Sequence, residues 1–145
     1  MPIITSTDLA TNIYPEIINE ITRTNSTITD RAIATAIQET KMYLSRYDLV
    51  QLFGTDTTSP AITDEYLKSL VKDVACWHLL RLANTNLDYA AFRTAYQDAI
   101  NSLKNIMNGQ AQPQGWPYID TTTSPPIPDG NTISWNSNPK RNNYY

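Results

Sequence analysis

The chain is expected to be all-α, a small bundle of about four main helices followed by a long extended C-terminal arm. Three observations carry this. Helix-start signals recur at Ile28-Thr29-Asp30, Ile62-Thr63-Asp64 and Leu87-Asp88. Behind each start, apolar residues return every three or four positions, the period of one helix face. The patterning then stops at Asn108-Gly109, beyond which proline and asparagine take over. The boundaries that follow are a helical domain over 1–109 and an arm over 110–145.

Taken in order, Ser6 or Thr7 can cap a short N-terminal helix through Asp8-Leu9-Ala10, and Pro15 can open a turn running from Glu16 to Ile21. Proline suits a first helical position because its missing N–H would have no partner there. The second main segment is expected from about Thr29 to Tyr47, with Ile33, Ala36, Ile37, Leu44 and Tyr47 on its inner face. Thr29 or Asp30 would cap it, and Ile28 sits where a hydrophobic staple belongs. Asp48 to Phe53 reads as one further turn closed by Gly54, and 55–60 as a polar loop.

The third segment, about Asp64 to Asn84, carries Leu67, Leu70, Val71, Val74, His78 and Leu82 on one stripe, with Ala75, Trp77, Leu79 and Leu80 off it. A helix apolar over so wide an arc packs on more than one side, so this is the expected central helix. The fourth, about Tyr89 to Met107, repeats with Phe92, Tyr96, Ala99, Ile100, Leu103 and Met107. Asn108-Gly109 supplies a left-handed cap, and Pro113 prevents resumption.

The arm contains Pro113, Pro117, Pro125, Pro126, Pro128 and Pro139. Such a composition buries too little apolar surface to offset its ordering entropy alone. Yet Trp116, Tyr118, Ile119, Ile127, Ile133, Trp135, Tyr144 and Tyr145 are spaced along it as rigid anchors, the side-chain type that carries binding at interfaces. Lys140 and Arg141 are expected to pair with carboxylates of a neighbour. Ile133-Ser134-Trp135 is suited to join a partner's sheet as an edge strand. The expected partner-binding residues are therefore Trp116, Tyr118, Ile133, Trp135, Lys140, Arg141, Tyr144 and Tyr145. The alternative is that the tail folds back on its own helices.

Composition narrows the function classes. At 145 residues the chain can bury a core without a metal or disulfide staple. A net charge of −3 without a Lys/Arg block leaves no basic face for counterion-release binding to duplex DNA. Its 1 cysteine excludes an internal disulfide. Met1-Pro2-Ile3-Ile4-Thr5 lacks the basic start and apolar core of a signal peptide, and Lys68, Lys72, Asp73 and Arg81 interrupt the most apolar stretch. A soluble protein made in a cytoplasm is expected.

Catalytic chemistry is not expected. His78 has Val74 and Leu82 at helical spacing, so no metal-ligand pair forms around it. Cys76 points to a different helix face from His78, which opposes a nucleophile–base pair. Gly54, Gly109, Gly115 and Gly130 are too far apart for a phosphate cradle. The carboxylates, Glu39 among them, are assigned to helix starts and solvated faces. No catalytic residue, metal ligand or cofactor is assigned.

In its order of elements the sequence resembles a known group. A short Thr7-Asp8-Leu9 segment leads to a helix ending in Tyr43-Leu44-Ser45-Arg46-Tyr47; a proline-containing loop follows, then a long Leu67–Leu79 helix and a last helix ending at Gly109. Over about Ile4 to Gly109 this is similar to the Mu gp36-like group of phage proteins, related in architecture to head–tail connector (adaptor) proteins. The resemblance implies a structural virion protein, made in the host bacterial cytoplasm, whose subunits form a ring, often twelve-fold, joining the portal protein to neck or tail proteins. No small-molecule substrate, membrane or nucleic acid is implied, beyond DNA passing through the ring lumen. The alternative is a small helical nucleic-acid-binding or DNA-packaging regulatory module, which would bind oligonucleotides in a salt-sensitive way.

Overall fold

The described residues, 2–82 and 89–119, of the computed structural model form five α-helices and one 3-10 turn joined by loops. The 3-10 turn spans Asp8–Thr11; the helices are α1 (Pro15–Thr22), α2 (Ser26–Tyr43), α3 (Leu49–Phe53), α4 (Glu65–Leu80) and α5 (Tyr89–Met107). The mostly helical class is as expected from the patterning. Helix α4 is central, lying against both α2 and α5. Leu67, Val71, Val74, Ala75, Leu79 and Leu80 are fully buried along it, on more than one face.

Helix starts follow their capping chemistry, and two of them differ from expectation. Asp64 caps α4 by accepting the Leu67 N–H at 2.7 Å. Asp48 caps α3, accepting the N–H groups of Val50 at 3.0 Å and Gln51 at 3.1 Å. Both the Gln51 side chain and those backbone donors favour the ionised carboxylate, which lowers the Asp48 pKa. Helix α2, in contrast, starts one turn before Thr29-Asp30. Asn25 is the cap, its Oδ1 accepting from Thr27 N–H at 3.1 Å, and Thr29 is buried inside the helix. Starting earlier lets α2 bury Thr29 and Ala32 as well as Ile33. At the N-terminus Thr7 makes no side-chain cap. The Asp8 carboxylate instead accepts the Thr5 N–H at 2.7 Å and hydroxyl at 2.8 Å, bonds that lower its pKa.

The other helix ends depart from expectation in small ways. The α4 helix stops at Leu80, which leaves Leu82 63% exposed rather than on the buried stripe. On α5 the inner face is closed by Ile106, and Met107 turns outward. Gly109, at φ +76°, ends α5, with the Gln110 N–H reaching back to Asn105 O at 2.9 Å. The Leu87-Asp88 start signal lies outside the described residues.

The N-terminal segment is part of the core, since Ile3, Ile4, Leu9 and Ile13 are all buried. It is pinned to α4 by polar bonds from Asn12 Nδ2 to Asp73 Oδ1 at 2.8 Å and from Lys72 Nζ to Thr11 Oγ1 at 3.1 Å. Burial raises the Asp73 pKa above its ordinary 3.8, only partly offset by the Asn12 bond. An acid with a raised folded-state pKa lends stability below its ordinary value and loses it as pH rises through the raised one. Asp73→Asn should therefore stabilise the fold at pH 7. The gain should stay below about 1 kcal/mol, because solvent screens a half-exposed group. Thermal melts should show the advantage at neutral pH and its disappearance below pH 3.8.

A larger correction concerns the boundary at 109/110. Residues 110–119 do not leave the bundle. Trp116 is 4% exposed and belongs to the same apolar core as Leu67, Leu103 and Ile106. The packed head therefore runs to Ile119. The reason is that one large aromatic side chain buried at the foot of α4 removes more apolar area than the ordering of a short loop offsets.

Candidate functional site

The return of the chain after α5 is built on two helix-capping aspartates. Asp64 uses Oδ1 for the α4 cap, which leaves Oδ2 to accept the Trp116 indole N–H at 2.9 Å. The backbone N–H of Asp48, whose side chain caps α3, donates to Pro117 O at 2.9 Å. Two residues away on each segment, the Ile119 N–H donates to Arg46 O at 3.1 Å, giving an antiparallel bridge between Tyr47 and Tyr118. Tyr47 is the hinge of the aromatic cluster. Its ring meets Trp116 edge-on at 5.5 Å and stacks on Tyr118 at 4.9 Å. Burial, followed by the Tyr118 hydroxyl contact, raises the Tyr47 pKa above 10.0.

This arrangement separates the expected partner-binding residues. Trp116 is occupied by its own head and cannot reach a partner, so its assignment as an external anchor is corrected. Tyr118 shares its inner ring face with Tyr47 yet remains 56% exposed, as does Ile119. Ile133, Trp135, Lys140, Arg141, Tyr144 and Tyr145 lie outside the described residues.

A polar cluster between α2, α4 and α5 was not anticipated from the sequence. Glu39 of α2 is half-buried; its Oε2 lies 2.6 Å from His78 Nε2 on α4, and its Oε1 accepts the Tyr96 hydroxyl of α5 at 2.7 Å. Tyr96 stacks on Trp77 at 5.6 Å. Desolvation, then the Glu39 contact, pushes the Tyr96 phenol up to about 12, so it acts as a hydrogen-bond donor and not as a proton source near neutrality. The carboxylate thus satisfies two donors from two other helices at once. Glu39 looked solvated in sequence, and nothing in the spacing of α2 marks it as a contact of α4 and α5. Glu39→Gln keeps the volume and removes one acceptor. A loss of about 1–2 kcal/mol is expected, readable as a lower urea midpoint.

The chemistry available here is limited. Cys76 is buried, and desolvation followed by the nearby Asp73 charge pushes its thiol to about 12, which suppresses the reactive thiolate. Among the described residues no group of three or more His, Cys, Asp or Glu side chains is placed to hold a metal ion. An open groove of about 640 Å³ beside His78 is lined by Ile21, Ile28, Arg31, Thr35 and Arg81 among others. Another of about 500 Å³ runs between the N-terminal segment, α2 and the 54–56 loop. Neither encloses a small molecule. Among the described residues no helix is long and apolar enough to cross a membrane. In comparisons with known proteins, no family model, curated protein or solved structure matches the chain.

Proposed function

We propose that the chain is a structural assembly protein, a head–tail connector whose helical heads stand in a ring between the portal and the neck or tail of a phage particle. The observation that carries this reading is the way the chain leaves the head. Trp116 is buried in the core, and Tyr118 and Ile119, two and three residues further on, emerge with exposed side chains. Beyond them the sequence supplies Ile127, Ile133, Trp135, Tyr144 and Tyr145, spaced by prolines. A helical head followed by an anchor-bearing segment suits multivalent docking, where modest contacts add through a shared ring. The order of helices, similar to that of the connector group, supports the same reading. The chain then binds and positions and performs no chemistry; Glu39, His78 and Tyr96 serve as a clip between three helices.

Imaging of the particle that contains this chain tests the proposal. Antibody or gold label on an N-terminal tag should mark one capsid vertex, beneath the portal. Label spread over the capsid shell, or absent from purified particles, would remove the reading. A nucleic-acid-binding module would show instead as retention on oligonucleotides at low salt.

A further inference from the structure

Among the described residues, the bridge between Tyr47 and Tyr118 leaves one backbone edge open. In an antiparallel pair, residues opposite each other alternate between exchanging bonds and turning their N–H and C=O groups outward. The flanking bonds, Asp48 N–H to Pro117 O and Ile119 N–H to Arg46 O, make Tyr47 and Tyr118 the outward-turned pair. On the Tyr47 side a turn closes this edge, because the Tyr47 N–H donates to Leu44 O at 3.0 Å. On the other side the Tyr118 N–H has no hydrogen-bond partner among the described residues. The side chains of Tyr118 and Ile119 stand exposed beside it. An edge of this kind is a template for another extended segment.

We propose that the Tyr118 edge receives the Ile133-Ser134-Trp135 segment of a second copy of this chain. This rests on the assembly reading above and names the contact that would link adjacent subunits. Three features select the occupant. Thr132 to Asn136 alternates polar and apolar residues with β-branched and aromatic side chains at Ile133 and Trp135, the pattern of a short strand. Trp135 would add a cross-strand partner for the exposed Tyr118 ring. The stretch from Ile119 to Ile133 spans roughly 46 Å when extended, at ~3.3 Å per residue, enough to cross to a neighbouring head. Pro125, Pro126 and Pro128 within it favour an extended path over a tight return to the same Tyr118.

Amide exchange at Tyr118 in the full chain tests this directly. A 15N-labelled I133P/W135P chain has two strand donors and both apolar anchors removed from its own tail. Mixed with unlabelled wild-type chain, its Tyr118 amide should exchange about tenfold more slowly or better; mixed with unlabelled I133P/W135P chain, it should not. No slowing in the wild-type mixture overturns the proposal. So does slowing in the wild-type chain alone that persists unchanged on dilution, because the tail then closes on its own head. The assembly reading is judged separately by imaging. A chain at the portal vertex with an unprotected Tyr118 amide sinks only this contact, and a protected amide in a chain absent from particles sinks only the reading.

Discussion

Replacing Trp116 by alanine is expected to destabilise the chain by about 3–5 kcal/mol, the range for truncating a buried large aromatic. The side chain is 4% exposed, and three interactions fail together. The core loses the indole at the foot of α4, Tyr47 loses its edge-on partner at 5.5 Å, and Asp64 Oδ2 loses its donor at 2.9 Å. The Asp64 cap on Leu67 N–H should survive, since it uses the other oxygen. Chemical denaturation should therefore show a lower midpoint without loss of α4 helicity below the transition. The same reasoning overturns a natural choice of truncation. A chain ended after Gly109, at the limit of the periodic sequence, lacks Trp116 and should melt well below the full chain. One ended after Ile119 should match it.

Gly54→Ala is expected to cost about 2–5 kcal/mol, from backbone strain and overpacking together. Gly54 adopts φ +73° and ψ −170°, a region closed to residues with a Cβ. A Cβ placed there would also stand 2.4 Å from Thr58 O, 2.8 Å from Pro60 N and 2.9 Å from Ser59 C. All three are backbone atoms, so no side-chain rotation relieves the contact. The loop must open, and with it the bonds from the Ala61 and Ile62 N–H groups to Gln51 O. A lowered urea midpoint together with faster amide exchange at Ala61 and Ile62 is the expected signature. A wild-type midpoint would mean that the 54–60 loop does not close as described.

What was legible in the sequence was local. Asp64 before Leu67 is a capping signal that needs no distant partner, and α4 begins where that signal places it; the short turn before Gly54 forms as well. The breadth of the apolar arc on α4 foretold its central position for the same reason: burial on two faces must be written into one helix. Long-range polar contacts left no such trace. Glu39 meets a histidine 39 residues away and a tyrosine 57 away, and nothing in the spacing of either helix requires it. Trp116 was hidden by its surroundings. Proline-rich flanks mark a segment that cannot form regular structure, but they do not stop one side chain from docking, here just after the positive-φ Gly115. The signal that could have located it is the spare oxygen of Asp64, an acceptor left over once the cap is made.

In the proposed function, the head packed through Ile119 carries a C-terminal segment that serves assembly. Deleting residues 120–145 in the particle-producing system tests it most directly. A chain with an unchanged thermal midpoint is expected, together with particles whose filled heads lack tails, visible by electron microscopy. Complete tailed particles made with the shortened chain would contradict it.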